Sequence, residues 1–355
     1  MFAKTTLEQV ARKVGVSAST VSRVLNGAKG VNEGTRERVL GAIRKINYRP
    51  GVSIGATAQS RLIGFLMPAE AEPWGVRTNF TEQGLSAISD VATRFNYAAM
   101  VGSYNPAAKA KIEDDMIAHR EFAGALLFRT KDEMRDSRPF RDTGIPFLIV
   151  NRLLPETALN YIGPDHLKIA FTAVENLLKS GYRRIGFLIG KTSYASHRLY
   201  QEGFNGAHAA AGVPVNSRLI TEIELNTEGG YTGTRRLVQL SPRPEVLIVT
   251  GDRASLGCLK AMADLKLKVP KDIGVFTIDG TPETAFANPS LTAVEIPWYD
   301  MLAMGTRLLI DLIEHRSLVE QIGVRFSTRL VIRKSTQSKQ IGVDRNSVKR
   351  RTQRC

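Results

Sequence analysis

The segment at 14–27 reads VGVSASTVSRVLNG and sets short hydroxyl side chains and one arginine among aliphatic residues. Val21, Val24 and Leu25 recur at helical spacing and would hold one face of a helix against a core. Arg23 then lies on the outer face of that helix. An arginine can form two hydrogen bonds to the edge of a guanine, and short hydroxyls suit base edges and phosphates. The pattern predicts a helix that reads DNA.

The N-terminal end of this helix is the end that meets base edges in such motifs. The predicted base contacts are Ala18, Ser19 and Arg23, with the Ala18 methyl facing a thymine. The predicted phosphate contacts are the short polar residues Thr6, Ser17, Thr20, Ser22 and Asn26. A plainer interpretation of the hydroxyls stays open, in which Ser17 caps the helix and Thr20 and Ser22 are only solvated.

Three short helices would position these side chains. Thr6, with Gln9 three residues later, fits a capping box at the start of the first helix, and Gly15 ends it. Ser17 then begins a second helix that runs to about Asn26. A third helix fits 34–47, with Asn32 as its cap. The small residues at the turn would let the first two helices cross closely, as in a helix-turn-helix.

The positive charge of the chain is concentrated at its two ends. Residues 1–61 contain 11 Lys/Arg and 3 Asp/Glu, and residues 331–355 contain 8 and 1. Residues 62–330 contain 30 of each and are neutral. Basic ends can merely aid solubility, but a clustered positive charge also neutralises phosphates. The distribution favours a head that binds a polyanion.

Two stretches, TTLEQVARKVGVSASTVSRVLNG at 5–27 and VNEGTRERVLGAIRKINYRP at 31–50, resemble the N-terminal domain of the LacI/GalR family of transcriptional regulators. The resemblance implies a homodimer in which two heads read a pseudo-palindromic operator in double-stranded DNA. It also implies a hinge at 51–61, GVSIGATAQSR, with contacts from Val52, Ile54 and Thr57. The family wedges a leucine into the minor groove here. Thr57 occupies that place in this chain, so Ile54 is the alternative.

From Ile63 onward, short apolar runs alternate with helical stretches. Predicted strands cover 62–67, 97–103, 124–128, 146–150, 184–190, 246–251 and 273–279, and predicted helices include 168–180 and 254–265. Strands that are apolar throughout are typical of parallel sheets covered on both faces. Alternating strands and helices therefore predict an α/β body that follows an all-α head.

The stretches at 162–190 and 269–294 resemble the effector-binding core of the same family. The resemblance implies two doubly wound parallel-sheet subdomains, similar to periplasmic sugar-binding proteins, with a ligand between them. The expected domains are the head at 1–50, the hinge at 51–61, the core at 62–334 and a basic, disordered tail at 335–355. Within the core, one subdomain takes 62–162 and 293–326, and the other takes 163–292 and 327–334.

Ligands of such sheets bind beyond the carboxyl ends of the strands. The predicted effector contacts are Asn151, Arg152, Arg198, Tyr200, Gly251, Asp252, Asp279 and Trp298, with Glu70, Trp74 and Phe128 on the opposite wall. The family places an acid at Asp279 to accept bonds from ligand hydroxyls, and an arginine at the position of Tyr200, which makes nearby Arg198 the candidate cation. Asp252 also fits a helix cap behind the ligand, and Trp298 also fits a core residue. Glu70, like Glu72, also fits a solvated loop charge.

Other classes of protein fit the sequence less well. The two cysteines and five histidines show no ligand spacing, so we expect no metal, no cofactor and no disulfide framework. The run GFLIGKTS at 186–193 lacks the four residues between glycines that a phosphate-binding loop needs. A secretory signal and membrane spans are not expected, so we place the protein in the cytoplasm. A solute-binding protein for transport is the main alternative, and an α/β enzyme with a DNA-targeting head is another. We therefore expect a transcriptional repressor controlled by a small sugar or glycoside.

Overall fold

The computed structural model describes residues 7–25, 31–45, 60–68, 79–104, 121–128, 144–154, 159–314 and 321–336. The chain separates into two compact units, Met1–Gln59 and Ser60–Cys355, which we call the head and the body. The predicted contacts Thr6, Asn26, Glu70 and Trp74, the hinge residues Val52, Ile54 and Thr57, and the tail after 336 lie outside the described residues.

The described part of the head is helical. It contains α1 (Leu7–Val14), α2 (Ala18–Leu25) and α3 (Glu33–Lys45). Gly15 has a positive φ of 73°, and its N–H bonds the carbonyl of Ala11 at 2.9 Å, which ends α1. The Ser17 hydroxyl accepts the N–H of Thr20 at 3.1 Å, and the Asn32 side chain accepts that of Thr35 at 2.8 Å. Both predicted caps are therefore confirmed.

A small apolar core joins the three helices. Ala11, Val21, Val24 and Val39 are each at most 5% exposed and form one cluster. The spacing of Val21 and Val24 puts both on one face of α2, as the helical periodicity predicts. The shortness of the three helices means that tertiary packing, rather than helix propensity, stabilises the head.

The body contains two six-stranded sheets. The first has the order β2-β1-β3-β4-β5-β11, and the second has the order β7-β6-β8-β9-β10-β12. The strands of the first sheet are β1 (Leu62–Pro68), β2 (Ala98–Tyr104), β3 (Gly124–Phe128), β4 (Phe147–Val150), β5 (Tyr161–Pro164) and β11 (Gly323–Phe326). Those of the second are β6 (Ile185–Ile189), β7 (Ile220–Glu222), β8 (Val246–Thr250), β9 (Gly274–Asp279), β10 (Thr292–Glu295) and β12 (Arg329–Val331). Every neighbouring pair is parallel except β10 with β12, so the predicted α/β class with two parallel sheets is confirmed.

Helices cover both sheets. They are α4 (Asn79–Arg94), α5 (His166–Lys179), α6 (Ala195–Ala210), α7 (Thr227–Val238), α8 (Asp252–Asp264) and α9 (Trp298–Glu314). All five residues of β3, of β6 and of β8 are buried, which is the reason these strands read as uninterrupted apolar runs. None of the described helices is both long and apolar enough to cross a bilayer.

The chain passes between the sheets after β5, after β10 and between β11 and β12. We call the first sheet with its helices the first lobe, and the second sheet with its helices the second lobe. β5 extends to Pro164 in the first sheet, and Thr292–Glu295 pairs with β9 in the second. The expected subdomain boundaries at 162/163 and 292/293 therefore fall two and three residues too early. Strand pairing fixes these boundaries, and the pattern of apolar residues in the sequence does not show which strands pair.

Candidate functional site

Helix α2 carries the candidate DNA-reading surface of the head. Ser19 and Arg23 are exposed on it, as predicted. Ala18 is half-buried and packs partly against the core of the head, so it is less exposed than Ser19 and Arg23, and its contact with a base stays a prediction. The side chain of Ser22 is not described.

The first turn of α2 gathers three hydroxyls. The Oγ of Ser17 lies 2.8 Å from the Oγ of Ser19 and 2.8 Å from the Oγ1 of Thr20. The exposed side chains of Arg12 and Lys13, at the end of α1, and of Arg38, on α3, add positive charge to the head. Hydrogen-bond donors at a helix N-terminus, together with surrounding cations, can bind phosphates and base edges.

A second candidate site lies in the body, at the carboxyl ends of the strands. Asn151 and Arg152 follow β4 and are buried, Asp279 ends β9, and Gly251 follows β8. Asn151 has a positive φ of 64°, and its Oδ1 is buried with no hydrogen-bond partner among the described residues. A Cβ added at Gly163 would lie 2.5 Å from the backbone nitrogen of Arg152, so the turn after β4 packs tightly on β5. A buried amide oxygen without a partner is a place where a ligand donor gains a full hydrogen bond.

Asp279 is held in an unusual backbone conformation. Its φ is 109°, a value that L-residues rarely adopt. The carboxylate of Asp252 accepts hydrogen bonds from the N–H of Gly280 at 3.1 Å, from the N–H of Thr281 at 2.8 Å and from the Thr277 hydroxyl at 3.0 Å. These bonds fix the turn that follows Asp279. Strain of this kind concentrates at ligand sites, where the surrounding structure holds it in place.

The same contacts correct the expectation that Asp252 caps its own helix. Gly251 is the N-cap of α8, and Asp252, the first helical residue, directs its carboxylate to the turn after β9. Burial and the neighbouring Asp252 charge raise the pKa of Asp279 well above its ordinary value. Burial also raises the pKa of Asp252, against the lowering effect of its hydrogen bonds. Asp252 therefore positions the Asp279 turn from behind.

Helix α6 adds an aromatic side chain to this site. Tyr200 is 4% exposed, and burial and the charge of Asp279 raise its pKa well above the ordinary value. Arg198 lies on the exposed side of the helix and pairs with Glu202 at 4.0 Å. Two helical residues separate Arg198 from Tyr200 by about 200°, so their side chains leave the helix on different sides, and the contact of Arg198 with an effector stays a prediction.

Two buried histidines complete the cluster, and neither is among the predicted effector contacts. His197 is 8% exposed and His166 is 3% exposed. The ring of His166 meets that of Tyr200 edge-on at 5.1 Å, and the ring of His197 lies 6.1 Å from Tyr200. Burial lowers the pKa of each imidazole to about 4. His166 lies two residues after the end of β5, and this strand of four residues gave no sequence signal that would have pointed to it.

Two predicted contacts lie in the hydrophobic core. Phe128, at the end of β3, meets the ring of Phe65 edge-on at 6.5 Å, and Trp298 is 4% exposed in the same apolar cluster. Trp298 therefore lies in the core, which is the alternative that its sequence position left open. Within the described ranges, no three His, Cys, Asp or Glu side chains cluster as metal ligands.

The lysine of the GKTS run is engaged by acids. The Nζ of Lys191 pairs with Glu224 at 2.7 Å, and Thr192 donates to Glu222. Gly190 packs against the ring of His197, where an added Cβ would fall 2.2 Å from it. Residues 185–189 are a buried strand. These contacts agree with the interpretation that this run is no phosphate-binding loop.

Comparisons with known proteins extend this geometry. Residues 6–51 match the bacterial regulatory proteins of the lacI family, and residues 174–336 match a periplasmic binding protein-like domain. Catabolite control protein A of Priestia megaterium is 26% identical over 336 residues, which span 93% of this chain and 99% of that protein. The HTH-type transcriptional repressor CytR of Escherichia coli strain K12 is 28% identical over 312 residues, which span 86% and 89%.

Solved structures share the fold. A complex of the transcriptional regulator CelR with cellobiose superposes with a TM-score of 0.69 at 23% identity, covering 93% of this chain and 99% of that one. The lac repressor dimer bound to operator and the anti-inducer ONPF gives a TM-score of 0.67 at 24% identity, covering 94% and 99%. Both likenesses support the same arrangement of a helical head and two parallel-sheet lobes.

Proposed function

Because the chain belongs to the lacI family of bacterial regulatory proteins, and is a DNA-binding transcriptional regulator, we propose that it is a repressor whose operator affinity is set by a sugar bound between the lobes of the body. The observation that carries the ligand half of this proposal is the position of Asp279 at the carboxyl end of β9, in a turn that the hydrogen bonds of Asp252 fix. Named relatives support the class of ligand, since a CelR structure contains cellobiose and an Enterococcus faecium regulator contains ribose.

The chemistry of the cleft suits a ligand that is rich in hydroxyl groups. Asp279 and the Oδ1 of Asn151 are hydrogen-bond acceptors, and Arg152 supplies donors from the first lobe. A sugar would therefore bond side chains of both lobes at once. The two lobes can be more open or more closed, and a ligand that binds one of these states more tightly shifts the population toward it. The energy of that shift is bounded by the difference between the two affinities.

The DNA half of the proposal assigns base contacts to Ala18, Ser19 and Arg23. Phosphate contacts go to Thr6, Ser17, Thr20, Ser22 and Asn26, and the hinge contacts to Val52, Ile54 and Thr57. A homodimer would hold two heads over half-sites separated by about 34 Å or a multiple of it. We place this regulator in the cytoplasm and assign it no catalytic step, which turnover assays on the bound sugars would check.

The test begins with duplexes selected from a random library, and with D-ribose, D-glucose, maltose and cellobiose as ligands. Isothermal titration identifies the sugar that binds, and fluorescence anisotropy measures operator affinity with and without it. Asp279→Ala should weaken sugar binding by about 10- to 100-fold, because it removes a hydrogen-bonding carboxyl group from the end of β9. Asp264→Ala, which removes an exposed acid at the end of α8, is the matched control. A normal sugar response in Asp279→Ala would refute the assignment of the cleft.

A further inference from the structure

The imidazole of His166 has a fixed protonation pattern. Its Nε2 lies 3.1 Å from the backbone carbonyl of Asn151, and a carbonyl oxygen can only accept. Burial lowers the pKa of His166 to about 4, so the ring is neutral near pH 7. A neutral imidazole has one N–H, which this bond places on Nε2. The Nδ1 atom therefore presents a lone pair.

Among the described residues, no donor bonds this lone pair. The Nδ1 of His166 is buried and makes no hydrogen bond to any described residue. His166 is the first residue of α5, and its ring contacts that of Tyr200 in the second lobe. The charge of Arg152 lowers the pKa of His166 further, and that of Asp165 raises it. A buried acceptor left without a partner costs about 1–3 kcal/mol, which a donor from a ligand would restore.

The ring is also held rigidly. Asp165 caps α5 by accepting the N–H of Lys168 at 3.0 Å, which fixes the first turn that carries His166. The Asn151 carbonyl belongs to the turn that packs on Gly163. A preorganised acceptor binds a hydroxyl with little entropy loss and rejects a ligand that lacks the hydroxyl.

We propose that His166 is a specificity-determining residue, whose Nδ1 accepts a hydrogen bond from one particular hydroxyl of the effector. This inference rests on the proposed function, because it requires a sugar in the cleft. It predicts that one hydroxyl of the ligand, and no other, is read by this imidazole. The buried Oδ1 of Asn151 is a second acceptor on the same turn and suits another hydroxyl donor.

The first test needs no ligand. Long-range proton–nitrogen correlation spectra of the full chain at pH 7 should show His166 as the neutral Nε2–H tautomer. A charged ring, or a proton on Nδ1, would overturn the inference, since neither offers a lone pair there.

The second test uses D-ribose, D-glucose and cellobiose with the monodeoxy analogues of each, measured by isothermal titration. For the sugar that binds, one analogue should bind the unaltered protein about 10- to 100-fold more weakly than the parent sugar, in line with the cost of an unpaired acceptor. His166→Gln keeps an N–H for the Asn151 carbonyl and should bring this ratio close to 1. His166→Asn, which returns a polar atom near the position of Nδ1, should restore part of it.

His208→Gln is the matched control. His208 is equally buried, and its Nδ1 bonds the carbonyl of Phe204 at 2.9 Å on the same helix as Tyr200, but its ring contacts Phe204 rather than the cleft residues. This variant should discriminate between the sugar and its deoxy analogue as strongly as the unaltered protein does. An unchanged ratio in His166→Gln would overturn this inference alone, while sugar binding stands. If no sugar bound the unaltered protein, the proposed effector class would fall, and this inference with it.

Discussion

The head and the body carry their candidate sites in opposite ways. In the head, the side chains proposed to read DNA lie along the eight residues of α2, and the described part of the core that supports them has four buried residues. In the body, the cleft gathers Asn151, His166, Tyr200 and Asp279 from four different elements, and much larger apolar clusters support them. Local helix geometry therefore determines the first site, whereas strand order determines the second. Single substitutions should separate the two sites cleanly.

The largest expected effect comes from the small core of the head. Val21 is fully buried there, and Val21→Asp would place an unpaired charge among apolar side chains. The cost of several kcal/mol exceeds what a small helical unit can lose. We expect operator affinity to fall by more than about 1,000-fold in fluorescence anisotropy, while sugar binding by the body persists.

A valine of the body provides the matched control for this substitution. Val215 is 37% exposed in the loop after α6, so Val215→Asp should leave both activities intact. Loss of sugar binding in Val21→Asp would contradict the independence of the two units.

The sequence predicted the head more completely than the cleft. The bounds of α1 and α2 and the Ser17 and Asn32 caps follow from spacing and capping chemistry, while α3 begins one residue earlier than predicted and Ala18 is partly buried. All seven predicted strands of the body are present, with bounds that shift by at most one residue. Strands β3, β6 and β8 are buried along their whole length and so have a strong apolar signal, whereas the edge strand β2 is partly exposed.

Five strands of three or four residues had no such signal. Tyr161–Pro164 and Gly323–Phe326 pair with each other across some 160 residues of chain, and β7, β10 and β12 are equally short. The position of His166 depends on that pairing, because β5 delivers it to the cleft. The rule that ligands lie past strand ends found Asn151 and Asp279. It could not find a histidine after a strand that was not predicted.

The next effect concerns reading of DNA. Arg23 is exposed on α2, and Arg23→Ala should cost about 1–3 kcal/mol of specific binding and relax preference at one base pair. Competition with every single-base variant of the operator half-site measures this. Arg12→Ala, on the exposed end of α1, is the control and should weaken binding to all sequences equally. If Arg23→Ala kept the full preference at each position, the assignment of α2 as the reading helix would be wrong.

The body should respond to acid through its buried histidines. Their folded pKa is about 4 and their ordinary value is 6.5, so the unfolded chain binds protons first as the pH falls. Each neutral histidine therefore stabilises the fold fully above pH 6.5, and this contribution declines as the pH falls toward 4. Between pH 7 and pH 5 the loss is about 2 kcal/mol per histidine.

The free energy of unfolding in urea, measured at pH 7 and at pH 5, checks this loss of stability. The raised pKa values of Asp252 and Asp279 act in the opposite sense, since these acids stabilise the fold more as the pH falls. Comparison with His166→Gln isolates the histidine, and this variant should lose about 2 kcal/mol less than the unaltered protein over the same interval. Equal losses would mean that His166 is charged or solvated in the folded protein.

The smallest effect tests whether the stability of α2 and its contacts with DNA bases depend on different residues. Ser17 caps the helix through the Thr20 N–H, so Ser17→Ala should cost the head about 1 kcal/mol. Amide exchange of Thr20 in the full chain should then accelerate by about fivefold. Ser19→Ala removes a neighbouring exposed hydroxyl that makes no bond to a backbone N–H, and it should lower sequence preference without changing the exchange. If both variants changed exchange equally, the two hydroxyls would share one structural role, and the base contact assigned to Ser19 would lose its support.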